Sequence, residues 1–352
     1  MKFRCMDAWH ENNSIFYVEE DSGIILRYDL NNTISYCNYV DLKENTIVRR
    51  IFKYKSQYYF VTNTGIVKYD SNKEMHGKYI YDINKVNEGI KDAILWNDSI
   101  IVIPKNLMDE WICYDIAKEE RFPFNDIVVA IKCINSIEKF MISTIKLVED
   151  TLYFTLIDDK KLYSYNIIKK EIKTECEFDE IISAFDFFNN TFWIRYKEGF
   201  RIIEWNKEKD TIRKYNLKEL SVEERAEEHA KIIVTNNRVI LLPSKSNTFA
   251  FVDFDNDCIT RIGSKTELKH SINHEKYSFT IGNLIIENYI ICMPWSTDLT
   301  VIINTESLNM EVYQPKIHRK VYEMDMELKI KRKNVVYETR EENIHSFVKN
   351  LM

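Results

Sequence analysis

The feature that most narrows what this chain can fold into is a unit that recurs seven times along it. Each copy shows a short polar turn, an apolar strand, and a second strand ending on a large residue followed by Asp or Asn. The first strands begin at Ile15, Tyr58, Ile100, Leu152, Phe192, Val239 and Tyr289. The paired endings are Tyr28-Asp29, Tyr69-Asp70, Tyr114-Asp115, Tyr165-Asn166, Trp205-Asn206, Val252-Asp253 and Ile303-Asn304. Strand start and acidic or amide residue lie 12 to 15 residues apart in every copy, and successive acidic or amide positions lie 40 to 51 apart.

That period is the one a four-stranded propeller blade requires, about 40–50 residues. Seven such blades close radially and leave few exposed edges. The fold class expected is therefore all-β: a seven-bladed β-propeller of four-stranded antiparallel blades over residues 1–316, with a C-terminal extension over residues 317–352. The pairs before six of the seven first strands (Asn12-Asn13, Asn97-Asp98, Glu149-Asp150, Asn189-Asn190, Asn236-Asn237 and Glu287-Asn288) predict tight turns. Asn and Asp tolerate the left-handed region and bond their own backbone, which matters in a chain of only 7 glycines.

On these turns and endings the unit resembles the broad propeller superfamily with Tyr-Asp blades, Kelch-like and quinoprotein-like, over roughly residues 3–316. The Kelch Gly-Gly and Trp do not recur, and Trp205 is followed by Asn206 rather than the Asp of a WD repeat. The resemblance implies the fold and carries no function to any residue.

If strands are lettered A to D from the channel outward, antiparallel geometry places the A–B and C–D turns on one face of the disc. The B–C loops and D–A connections share the other. The uniform turns make the first face plain, and the length variation gathers on the second, where binding residues concentrate. Long D–A connections are expected at residues 125–139, 218–230 and 264–279; the second carries a Ser221–Glu224 capping box for a short helix. Three B–C loops open on Pro104, Pro243 and Pro294 and present Lys105, Trp111, Lys245, Trp295 and Asp298 near one rim. Trp111 and Trp295 fit either packing between blades or an exposed stacking role. Arg195 fits an anion contact in the channel, or an ion pair or solvent-facing position. These six residues form the candidate binding set.

No GxSxG, GxxxxGK or GxGxxG occurs, so no catalytic residue and no cofactor is assigned. His270 and His274 have the spacing of a helical metal pair but lack the HExxH glutamate, and they read as a solvated loop, so no metal site is expected. The seven cysteines are scattered and never form CxxC, which suits buried thiols in a reducing compartment and a cytoplasmic setting. A net charge of -6 argues against a general nucleic-acid binder, and no apolar run reaches the length of a membrane span.

In the tail, residues 317–337 alternate enough to predict a hairpin turning at Lys333-Asn334. Ile344, Phe347, Val348 and Leu351 then mark one face of an amphipathic helix. The functional expectation is a non-catalytic recognition or scaffold protein, binding a protein or peptide on its B–C/D–A face. The alternatives are a hydrolase or lyase on a glycan or small molecule at the channel mouth, and a glycan-binding module built on Trp111 and Trp295.

Overall fold

A computed structural model of the chain describes residues 7–12, 14–19, 22–29, 33–43, 46–70, 78–82, 89–132, 141–197, 201–216, 229–235, 238–243, 249–262, 284–292 and 299–331. Seven antiparallel four-stranded blades follow one another in chain order, each strand pairing with the next. The innermost A strands are Ala8–Glu11, Val48–Tyr54, Ile90–Trp96, Ile142–Val148, Ile182–Phe188, His229–Thr235 and Leu284–Ile286. The C strands are Ile24–Asp29, Gly65–Asp70, Ile112–Asp115, Lys161–Asn166, Arg201–Asn206, Phe249–Asp253 and Thr300–Asn304. All seven end on the Asp or Asn that the repeat predicts.

Those side chains build the C–D turns. Asp115 Oδ1 accepts from the backbone N–H groups of Ala117 and Lys118, both at 2.9 Å. Asn166 does the same for Lys169 at 2.8 Å, Asn206 for Lys209 at 3.0 Å, and Asn304 for Glu306 and Ser307 at 2.9 Å. The fourth residue onward then takes positive φ, at Glu119, Lys170, Asp210, Asp257 and Leu308. In the A–B turns Asn12, Lys55, Asn97, Glu149, Asn189 and Glu287 have φ between 47° and 57°. The two turn sets are joined: Ile116 N–H donates to Asp98 O, Ile167 to Asp150 O and Thr305 to Asn288 O, at 2.7–2.8 Å.

The B strands read as unbroken apolar runs because both of their faces are buried, one against each neighbouring blade. Tyr58 and Phe60 join the cluster between blades 1 and 2, whereas Tyr59 and Val61 join the one between blades 2 and 3. Seven such clusters occupy the seven interfaces of the ring.

Every blade is contiguous in sequence, so no strand is exchanged to close the ring. Closure falls to the segment after blade 7. Lys316–Ile317 adds a parallel fifth strand on Thr33–Tyr39 of blade 1, and helix Arg319–Lys331 follows. This helix corrects the expected hairpin. Its Val321 and Leu328 enter the cluster shared by blades 7 and 1. Asp325, fully buried on the same face, pairs with Lys329 at 2.9 Å, and Lys329 lies 3.7 Å from buried Glu19. The helix expected near Ile344–Leu351 lies outside the described residues, as does the one at Ser221–Glu224. No helix among the described residues is long and apolar enough to cross a membrane. Cys113 and Cys292 are buried, but Cys37 is exposed on the outer strand of blade 1, against the expectation of uniformly buried thiols.

Candidate functional site: the channel mouth on the loop face

The channel wall is made by the A strands, and their register against the B strands fixes which residues share a level. In blades 2 to 6 the pairing skips one residue near the start of strand A, which makes a β-bulge at Arg49, Lys91, Ser143, Ser183 and Ala230. A bulge leaves its extra residue out of the ladder and re-aims it. Five bulges at one level thus make a ring of displaced positions just inside the loop face. One residue deeper lie Asp7, Arg50, Asp92, Thr144, Ala184 and Lys231, each four residues before the last A–B pair of its blade.

The deeper ring is charged and internally bonded. Arg50 makes a two-pronged contact with Asp92, with Nη2 to Oδ2 at 2.8 Å, and its Nη1 lies 3.9 Å from Asp7. Asp7 also accepts from the Ile51 N–H at 2.9 Å, and Asp92 from the Ala93 N–H at 2.7 Å. Lower in the wall Asp186 pairs with Lys146 and accepts the Val234 N–H of the next blade at 2.8 Å. Strand A of one blade is in this way clamped to strand A of the next by a carboxylate.

Burial shapes these charges. It pushes Lys231 below its ordinary range, Arg50 adds to that, and Asp186, Asp7 and Asp92 oppose it. Charges from blades 1, 2, 3, 5 and 6 therefore act on each other across the channel. Burial likewise lowers Lys91, opposed by Asp92 and assisted by Lys105 and Arg49, and it raises Asp7 despite Arg50. For Arg50, burial lowers the guanidinium, but Asp92 and Asp7 more than offset it. At the mouth, Lys105 opens the B–C loop of blade 3; its N–H bonds Gly89 O at 2.9 Å, and its Nζ lies over Gly89. Arg49 Nε is buried with no hydrogen-bond partner.

Of the six sequence candidates, the structure brings Lys105 to the mouth. Trp111 is a correction: it is fully buried between blades 3 and 4, with Nε1 donating to Leu107 O at 3.1 Å, so it packs and offers no stacking platform. Arg195 is buried in the B strand of blade 5, one strand out from the channel wall, which removes its solvent-facing reading. Lys245, Trp295 and Asp298 lie outside the described residues, as do His270 and His274. Of the long connections, the one at 125–139 begins as helix Asp126–Lys132, which packs Ile127 and Ile131 on blade 4. Sequence reasoning missed Arg49, Arg50, Lys91 and Lys231, because strand A carries no Asn/Asp marker and its bulges break the alternation that would reveal it. Two clefts, about 190 and 450 Å³, open instead near the A–B turns of blades 5 to 7 around Arg238. They hold no buried unsatisfied polar atom, and the charged wall gives the loop-face mouth the stronger chemical claim.

No family model matches the chain, and no curated protein matches it. Solved structures do. A catalytically inactive virginiamycin B lyase from Staphylococcus aureus with quinupristin is 11% identical, at a TM-score of 0.61 over 84% of this chain and 93% of that one. YCF48 bound to D1 peptide is 9% identical, at 0.58 over 84% and 93%. The computationally designed Ika8 protein is 9% identical, at 0.58 over 90% of each chain. At such identities the likeness shows the propeller fold alone.

Proposed function

We propose that the chain is a non-catalytic recognition propeller that binds a protein or peptide partner on its B–C/D–A face, centred on the channel mouth. The observation that carries this reading is the bulged, cation-rich mouth on the face that also bears the long connections. The opposite face spends its polar groups on its own turns. YCF48, a propeller seen with a bound peptide, lends the same direction of support. A cytoplasmic setting belongs to the reading and rests on the unpaired thiols among the described residues.

A matched pair of variants tests it. Lys43, Lys160 and Lys197 are exposed on the loop face, and Lys118, Lys169 and Lys209 on the plain face. Each set is changed to Glu, and crosslinked partners are captured from native lysate and identified by mass spectrometry. Capture should be lost with the loop-face set and kept with the plain-face set; the reverse result, or no specific partner at all, defeats the reading.

A second reading has its own observation. Lys91 and Lys231, half-buried and held below the ordinary lysine range by desolvation, are groups of the kind found at catalytic centres. An enzyme acting on a small molecule at the mouth would use one of them as base or nucleophile. The glycan-binding reading loses Trp111 as a platform.

A further inference from the structure

Among the described residues, three cations at the mouth, Arg49, Lys91 and Lys105, form no ion pair with a carboxylate, although Asp92 acts on Lys91 through space. Arg49 and Lys91 are neighbouring bulge residues on blades 2 and 3, and Lys105 follows at the rim beside Gly89. The two carboxylates of the adjoining level are already committed: Asp92 to Arg50 and the Ala93 N–H, Asp7 to Arg50 and the Ile51 N–H. Ser143 and Ser183, the next bulge residues, direct their hydroxyls to backbone carbonyls of blade 5. Folding therefore leaves a buried guanidinium N–H unsatisfied, which costs about 1–3 kcal/mol in an empty site. It also gathers like charges, since Arg49 and Lys105 both disfavour the charged form of Lys91. A structure that holds these groups together gains most from a ligand with more than one negative oxygen.

We propose that this mouth seats the acidic side chains of a peptide segment, with Arg49 as the planar two-point contact and Lys91 and Lys105 as flanking charges. The proposal rests on the partner-binding reading and names the chemistry of the partner. Arg matches a carboxylate through two parallel N–H groups, whereas a lysine ammonium acts as a point charge tolerant of position. The three groups span two blades, at the face where an extended chain crossing the disc would meet them in succession. A run of Asp or Glu answers that spacing with several carboxylates.

The full chain is titrated into fluorescein-labelled hexaglutamate, with labelled hexalysine and hexaserine as controls, and anisotropy is read at low salt. Hexaglutamate should bind and the controls should not. A variant carrying Arg49→Gln, Lys91→Gln and Lys105→Gln should bind at least about tenfold more weakly. Lys118→Gln, Lys169→Gln and Lys209→Gln together should change binding by less than about twofold. Should the mouth triple not fold, as judged by its melting curve, Lys105→Gln alone at the rim still has to weaken binding by about threefold. Equal binding by the mouth variant, or equal binding of the three peptides, overturns the proposal. Stabilisation of the wild type by inorganic phosphate without hexaglutamate binding overturns it too, in favour of a free small anion. Loss of the natural partner with the loop-face set but not with the mouth variant defeats only the acidic-peptide assignment. Hexaglutamate binding in a chain that captures no partner defeats only the broader reading.

Discussion

Glu175, in the outer strand of blade 4, has a side chain only 5% exposed, yet it remains a carboxylate. Ser164 Oγ donates to Oε1 at 2.6 Å, and Lys207, from the C–D turn of blade 5, reaches Oε2 at 2.9 Å. Lys207 also bonds Tyr153 OH at 3.0 Å and lies over its ring, so one ammonium pins two blades. Burial pushes the Glu175 carboxyl up, but Ser164, Lys207 and Lys173 outweigh it and hold the group below its ordinary value of 4.5. Its contribution to stability is therefore complete above that value and is lost as pH falls through the lowered one. Glu175→Gln should cost about 2 kcal/mol at pH 7 and flatten the fall in urea midpoint between about pH 6 and pH 3. Parallel acid limbs for wild type and variant would show that the staple contributes nothing.

At the scale of the element, the turns and bulges matter more than the strands. The strands only need apolar residues on two faces, whereas each A–B turn among the described residues forces a side chain to positive φ. Glu149, at φ 52°, is neither Gly nor Asn, and no local side-chain bond repays the strain. Glu149→Asn should stabilise the chain by about 1 kcal/mol, and Glu149→Val should destabilise it by about as much, measured by urea unfolding. Gly23 is the opposite case: at φ 74°, an added Cβ would stand 2.5 Å from Val40 O. The tail helix shows how an element can hide. Met324, Met326, Leu328 and Ile330 alternate with charged residues, which imitates a strand. The buried face is Val321, Asp325 and Leu328 at i, i+4 and i+7, and the central acid breaks the apolar stripe that would announce a helix. Lys329 beside Asp325 is what makes that acid tolerable there.

For the whole molecule the decisive event is closure of the ring. With seven contiguous blades, the interface between blades 7 and 1 has no shared strand, and Lys316–Ile317 with helix Arg319–Lys331 straps it from outside. Lys329→Met would leave Asp325 and Glu19 buried without their cation, at a cost of about 3 kcal/mol. Hydrogen exchange should then rise first in strands Ala8–Glu11 and Leu284–Ile286, while the inner strands of blades 3 to 5 keep their protection. Uniform loss of protection around the ring would mean that the strap is not the closing element.

Period, blade number, the starts of the B strands and the ends of the C strands were legible in the chain itself, because they rest on local chemistry: an Asp or Asn folds its own turn, and a doubly buried strand must be apolar throughout. The partition into a plain and a decorated face followed from antiparallel order alone. The site did not. The Arg49-Arg50 pair, Lys91 and Lys231 come from three separate stretches of the chain, with no shared motif, and meet only when the A strands gather around the axis. Trp111, in an expected loop, and Asp325, in an expected hairpin, both proved to be fully buried. In each case the environment was set by a segment many residues away, and local pattern carries no record of that.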